Sequence, residues 1–176
     1  YTVRHVMNVT DVGHLTSDAD EGEDKLEVGA RREKKSPWEI ARFYEKQFFD
    51  TIAQANILVP HVICRATEHI GEQIALIEKL EAKGFTYETE VGLTFDTSKF
   101  PRYADFARLD LDGQQEGARV QAAKGRRNPQ DFALWVTNKP THLMMWDSPW
   151  GRGFPGWHLE CSAMSQRYCG DTLDIH

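Results

Sequence analysis

Apolar and polar positions change period several times along the chain, and each change predicts an element. Tyr1 to Thr10 alternates apolar and polar residues with β-branched side chains, the signature of a half-buried or buried strand, and the pattern stops at Asp11. From Ser36 the spacing lengthens: Ile40, Tyr44, Phe48 and Ile52 recur every fourth residue, which predicts a helix with one apolar face running to about Asn56, ahead of Pro60. Its start is marked by Ser36-Pro37-Trp38-Glu39, a capping box with proline at the first helical position. A second helix, capped by Thr67, carries Ile70, Ile74, Ile77 and Leu80 on one stripe and ends at Gly84. The period then drops to two. Phe85, Tyr87 and Thr89 before Val91-Gly92, with Leu93 and Phe95 after it, predict a β-hairpin.

A loop-rich stretch follows from Lys99 to Pro129, with turn formers at Asp112-Gly113. Phe132 to Val136 reads as a short strand broken by Asn138-Lys139-Pro140. Turn formers and aromatics from Trp146 to Gly156 feed a helix over Trp157 to about Tyr168, stopped by Gly170. Thr172 to Ile175 has the look of a further strand, with His176 at its carboxyl end. Strand and helix signals at both ends, with a mixed segment between, suggest an α/β fold built on an open parallel sheet. The ligand crevice of such a sheet lies at the strand carboxyl ends, where Thr10 and His176 would both face.

Composition narrows the class. The chain has 176 residues, 40% hydrophobic and 27% charged, a globular balance that excludes collagen-like, coiled-coil and wholly disordered chains. No apolar run approaches the roughly 18 residues of a membrane span, so no membrane partner is expected. Lys and Arg total 21 against 27 acids, a net charge of −6, so any nucleic-acid contact must come from a local basic patch. Candidates are Arg31 to Lys35, which follows an acidic run between Asp18 and Glu27, and the cluster from Arg119 to Arg127; solvated charge is the plainer reading of both. Three cysteines, Cys64, Cys161 and Cys169, are too few and too odd a set for a disulfide framework and suit a reducing cytoplasm.

Candidate chemistry concentrates near the end of the chain. On a helix Trp157 and Cys161 project side by side, with Met164 and Tyr168 continuing that face. Such a stripe is either core or one wall of a pocket. A thiolate can also hold zinc, but the eight-residue step to Cys169 is not a Cys-x-x-Cys spacing, so spacing leaves Cys161 open between core and ligand. His69-Ile70-Gly71, partway to an adenylate-forming signature, is followed by Glu72 inside the second helix and reads as structural.

The wording of the sequence goes further. Trp146-Asp147-Ser148-Pro149-Trp150-Gly151, with Pro155-Gly156-Trp157-His158-Leu159-Glu160-Cys161-Ser162-Ala163-Met164-Ser165, closely resembles the zinc-containing motif of the cysteinyl-tRNA synthetases. Ordered supporting matches are Asn8-Val9-Thr10-Asp11, Arg65-Ala66-Thr67-Glu68-His69-Ile70, Phe95-Asp96, Gly117-Ala118-Arg119, Arg127-Asn128-Pro129-Gln130-Asp131-Phe132 and Leu173-Asp174-Ile175-His176. The chain departs from the commoner family pattern at Gly13-His14 and in the acidic run after it.

The resemblance implies a class I synthetase whose Rossmann-type catalytic domain is split by a mixed α+β connective insertion. Residues 1–59 would hold the end of the first half, 60–145 the insertion, and 146–176 the start of the second half. It implies activation of cysteine with ATP (and Mg2+), then transfer to tRNA(Cys). By the same resemblance Cys161 is a ligand of Zn2+, Trp157 and Thr10 contact the amino acid, and His176 stands on the adenylate side. No covalent protein nucleophile is implied. The family's phosphate-binding motifs, its other zinc ligands and its anticodon-binding helices have no counterpart here, so the expectation is an internal segment of a longer enzyme, inactive by itself. Oligomeric state is not legible. Alternatives are a ligase joining cysteine to an amino-sugar inositol, or a noncatalytic zinc- or RNA-binding module.

Overall fold

The computed structural model describes residues 1–13, 23–105 and 125–176. The Asp112-Gly113 turn, the Gly117-Ala118-Arg119 match, the departure at His14 and the first half of the acidic run, Asp18 to Glu21, lie outside the described residues.

A parallel pair opens the structure. β1 (Val6–Val9) and β2 (Val62–Arg65) align Val6 with Val62 and Val9 with Arg65. Parallel neighbours need a crossover between them, and α1 (Lys25–Glu33) and α2 (Pro37–Gln54) lie in that connection. The first predicted strand is thus confined to the end nearest Asp11. The expected capping box is made in full: Ser36 Oγ accepts from the Glu39 amide at 3.2 Å, and Glu39 Oε2 accepts from the Ser36 amide at 2.8 Å. Asp24 caps α1, accepting from the Leu26 amide at 2.7 Å, so the end of the acidic run is a helix start rather than only solvated charge.

The face of α2 corrects its predicted stripe. Ile40 and Ile52 are buried, but Tyr44 and Phe48 are 47% and 46% exposed. A strict fourth-residue repeat drifts about 40° per step around a helix of 3.6 residues per turn, so one packing partner cannot cover all four. Thr67 differs too. It lies in a 3₁₀ turn (Ala66–Glu68) with its hydroxyl on Asp11, and α3 (Ile70–Ala82) starts after His69 without a side-chain cap.

β3 (Thr86–Glu88) and β4 (Gly92–Phe95) form the expected antiparallel hairpin, which continues through β5 (Phe132–Val136) to the short β6 (Phe154–Pro155). β5 serves two cores. Ala133 and Val136 join Val12, Cys64, Met144, Phe154 and Met164, whereas Leu134 and Trp135 join Ile70, Ile77, Leu93 and Leu159. α4 (Trp157–Cys169) enters both, through Met164 and Leu159. Its start lies against β5 so closely that a Cβ on Gly156 would stand 1.9 Å from the Ala133 carbonyl oxygen. The predicted strand over Thr172 to Ile175 does not form: no described strand pairs with it, and Ile175 is 92% exposed.

The segment after residue 124 is pinned by a buried carboxylate. Asp131 accepts from the Tyr87 hydroxyl at 2.6 Å, the Thr97 amide at 2.9 Å and hydroxyl at 2.7 Å, and the Asn128 amide at 3.0 Å. Burial alone would raise its pKa, but these donors outweigh it and hold the pKa below the ordinary carboxyl value. Arg127 pairs with Asp96 at 3.1 Å and lies over the Tyr87 ring. Its charge is engaged in holding the fold.

Candidate functional site

The carboxyl end of β1, the 3₁₀ turn before α3 and the body of α4 meet in a buried polar cluster. Asp11 is buried and accepts from the Thr67 amide at 2.9 Å and hydroxyl at 2.6 Å, fixing the turn to the strand end. His69 is buried as well. Its Nδ1 lies 2.7 Å from the Arg65 carbonyl oxygen at the end of β2 and its Nε2 2.8 Å from the Tyr168 hydroxyl of α4, so both ring nitrogens are occupied. The structural reading of His69-Ile70-Gly71 agrees with these contacts.

Glu160 is the unusual member. Its side chain is fully buried, and neither carboxylate oxygen has a hydrogen-bond partner among the described residues. Burial, reinforced by the charge of Asp11, outweighs the nearby Thr10 hydroxyl, which makes no hydrogen bond of good geometry, and pushes its pKa up to about 9. Burial thus favours the neutral carboxyl over the carboxylate. The sequence carries a signal for it that residue-type reasoning passes over: Glu160 occupies the same helix side as Ala163 and Met164, where an apolar residue is the norm.

The four residues singled out by the sequence are distributed over this region. Cys161 and His176 line one cavity of about 370 Å³, together with Leu76, Ser165, Gln166 and Asp171. Trp157 and Thr10 are not among its lining residues. The Trp157 ring is 47% exposed and stacks on His158, ring centroids 3.8 Å apart. Thr10 is half-buried at the end of β1, on the side of Glu160. Met164, on the same predicted stripe, is core. One helix face thus becomes three environments, because what covers α4 changes along its length.

All three cysteines are free thiols. Burial pushes the Cys161 thiol up, and the neighbouring Glu160 acts in the same direction. A half-buried thiol beside a cavity suits a soft metal, but zinc needs three or four protein ligands, and among the described residues no group of three His, Cys, Asp or Glu converges. The donors of this chain do not by themselves complete a zinc site.

The chain thus carries parallel strands ending at an acidic cluster, a following antiparallel sheet and a cysteine-bearing helix over both cores. It belongs to the family described as the tRNA synthetases class I (C) catalytic domain, whose model matches residues 1–176. More particularly, it is 57% identical over 178 residues to cysteine–tRNA ligase 1 of Burkholderia lata, with all of this chain and 38% of that protein covered. The cysteine–tRNA ligase of Treponema denticola is 51% identical over 178 residues and that of Thermus thermophilus 46% over 176, with all of this chain and 36% and 37% of those proteins covered. The chain spans a little over a third of the length of these relatives.

Proposed function

We propose that this chain is the catalytic-domain portion of a cysteine–tRNA ligase, which activates cysteine with ATP and Mg2+ and transfers it to tRNA(Cys) in the cytoplasm. The observation that carries the reading is full coverage of the chain by relatives named cysteine–tRNA ligase, at 46–57% identity in several bacteria. In this reading 1–59 ends the first half of a Rossmann-type sheet, 60–145 is the connective insertion and 146–176 opens the second half. The parallel β1–β2 pair would join the first two spans.

Cys161 is proposed as one zinc ligand, the rest coming from outside this chain. Bound there, zinc would supply a soft contact that accepts a thiolate far better than a hydroxyl, a distinction that pocket size alone makes by only about 1–3 kcal/mol. The chain's own residues then position and exclude. Trp157, at the start of α4, would cover the amino-acid side chain by movement of its exposed ring. Thr10 would contact the amino acid at the end of β1, and His176, across the cavity from Cys161, would face the adenylate. With both nitrogens of His69 occupied and burial favouring the neutral form of Glu160, attack of the substrate carboxylate on the α-phosphate rests on positioning and charge stabilisation.

Full-length protein should charge tRNA(Cys) with cysteine; transfer to an amino-sugar inositol instead would identify the other ligase. Cys161→Ala in that protein should abolish bound zinc in elemental analysis, whereas Trp157→Ala should retain zinc and raise KM for cysteine about tenfold or more, as loss of a covering aromatic implies. Full zinc content in Cys161→Ala would remove the ligand assignment.

A further inference from the structure

Away from α4, a buried histidine ties α1 to the segment leading into Trp146. His142 is buried, and its ring stacks on Phe154 with centroids 4.1 Å apart. Nε2 lies 3.1 Å from Asp24 Oδ2 and 3.8 Å from Glu27 Oε1. Nδ1 stands between two groups of Met144, the carbonyl oxygen at 2.9 Å and the amide nitrogen at 3.2 Å. A carbonyl only accepts and an amide only donates, so the proton on Nδ1 selects which contact exists.

Both carboxylates have a second task. Asp24 caps α1 through the Leu26 and Glu27 amides, and Glu27 accepts from the Leu143 amide at 2.6 Å. Among the described residues the charged groups within reach of the His142 ring are Asp24 and Glu27 of α1, and the Phe154 ring of β6 and the Met144 backbone also contact it. Phe154 leads through Pro155 to Gly156, where α4 begins.

We propose that His142 is a protonation-dependent latch: as imidazolium it fastens the Leu143–Met144 segment and β6 to the start of α1, and on losing its Nδ1 proton it exchanges the Met144 carbonyl for the Met144 amide and, uncharged, holds Asp24 and Glu27 less tightly. Burial alone would weaken the ring's hold on its proton. The Asp24 hydrogen bond and charge, with Glu27 and the Met144 carbonyl, outweigh burial and raise the pKa above its ordinary value of 6.5. The folded state therefore binds this proton more tightly than the unfolded one. The latch is complete below pH 6.5 and weakens as pH rises through the raised value.

The test uses the full-length protein and does not depend on its activity. NMR of the His142 ring is followed from mildly acidic to alkaline pH, and amide exchange is measured at Leu26, Glu27 and Leu143. The ring should titrate above the ordinary histidine value, and protection at the three amides, corrected for intrinsic exchange, should fall several-fold on the alkaline side. In His142→Gln the three amides should lose protection with pH less steeply than in wild type, and in Asp24→Asn the ring should titrate closer to an ordinary histidine. A ring titrating at or below the ordinary value overturns the latch, as does an equal pH response of the three amides in wild type and His142→Gln. Should His142→Gln fail to fold, the wild-type ring titration and Asp24→Asn decide.

Discussion

Glu160 shows how much a single side chain can cost and still be kept. An unpartnered buried carboxyl is retained only in its neutral form, and its raised pKa makes the folded state bind a proton that the unfolded chain releases near 4.5. Its contribution to stability is present below that value and declines as pH rises towards about 9, at about 1.4 kcal/mol per pH unit. Glu160→Gln is neutral throughout and should flatten that part of the curve. Denaturant titrations at several pH values in this window, on wild type and variant, check this; parallel curves would mean that Glu160 is ionised in the folded protein. The position itself was half visible in the sequence. A Glu on an apolar helix side is a local conflict, but only the structure shows that no partner arrives.

At the scale of elements, α2 separates what is local from what is not. Its start was legible because every atom of a capping box lies within four consecutive residues, and all of those bonds form. Ser36→Ala should cost about 1 kcal/mol in chemical denaturation, with the midpoint falling and the slope unchanged. A loss near zero would mean that packing, not the cap, sets the start of the helix. Its buried face was not legible, because periodicity fixes where a side chain points and not what stands opposite. The β3–β4 hairpin and β5 were equally readable from alternation. The predicted strand after Thr172 fails for the converse reason: a strand's hydrogen bonds belong to its neighbours, and no described strand lies beside it. Asp131 is a third case. Its sequence neighbours give little sign that Tyr87 and Thr97, far away in the chain, will both donate to it.

Among the described residues, exposed apolar side chains gather on and after α2, at Phe43, Tyr44, Phe48, Ile57, Leu58 and Val59, and the parallel sheet has two strands. Parallel sheets are ordinarily covered on both faces. Produced alone, the 176-residue chain should bind a hydrophobic dye and aggregate on heating, whereas full-length protein should do neither under the same conditions. Cooperative, dye-silent unfolding of a monomer would show that this chain covers its own apolar surface. No described helix is long and apolar enough to cross a membrane.

By itself the sequence determined the capping box of α2, the hairpin, the core-facing strand β5 and the family, since each depends on side chains close in the chain or on words that few families share. The environments of the site residues were decided in three dimensions. Cys161 and His176 meet at one cavity, Trp157 lies open on His158, and Thr10 stands beside a buried acid, although pattern places Trp157 and Cys161 on one helix stripe and Thr10 and His176 both at strand ends. The physical reason is that burial, and with it the pKa of Glu160 and the pairing of His142 with Asp24, depends on atoms brought in from distant parts of the chain.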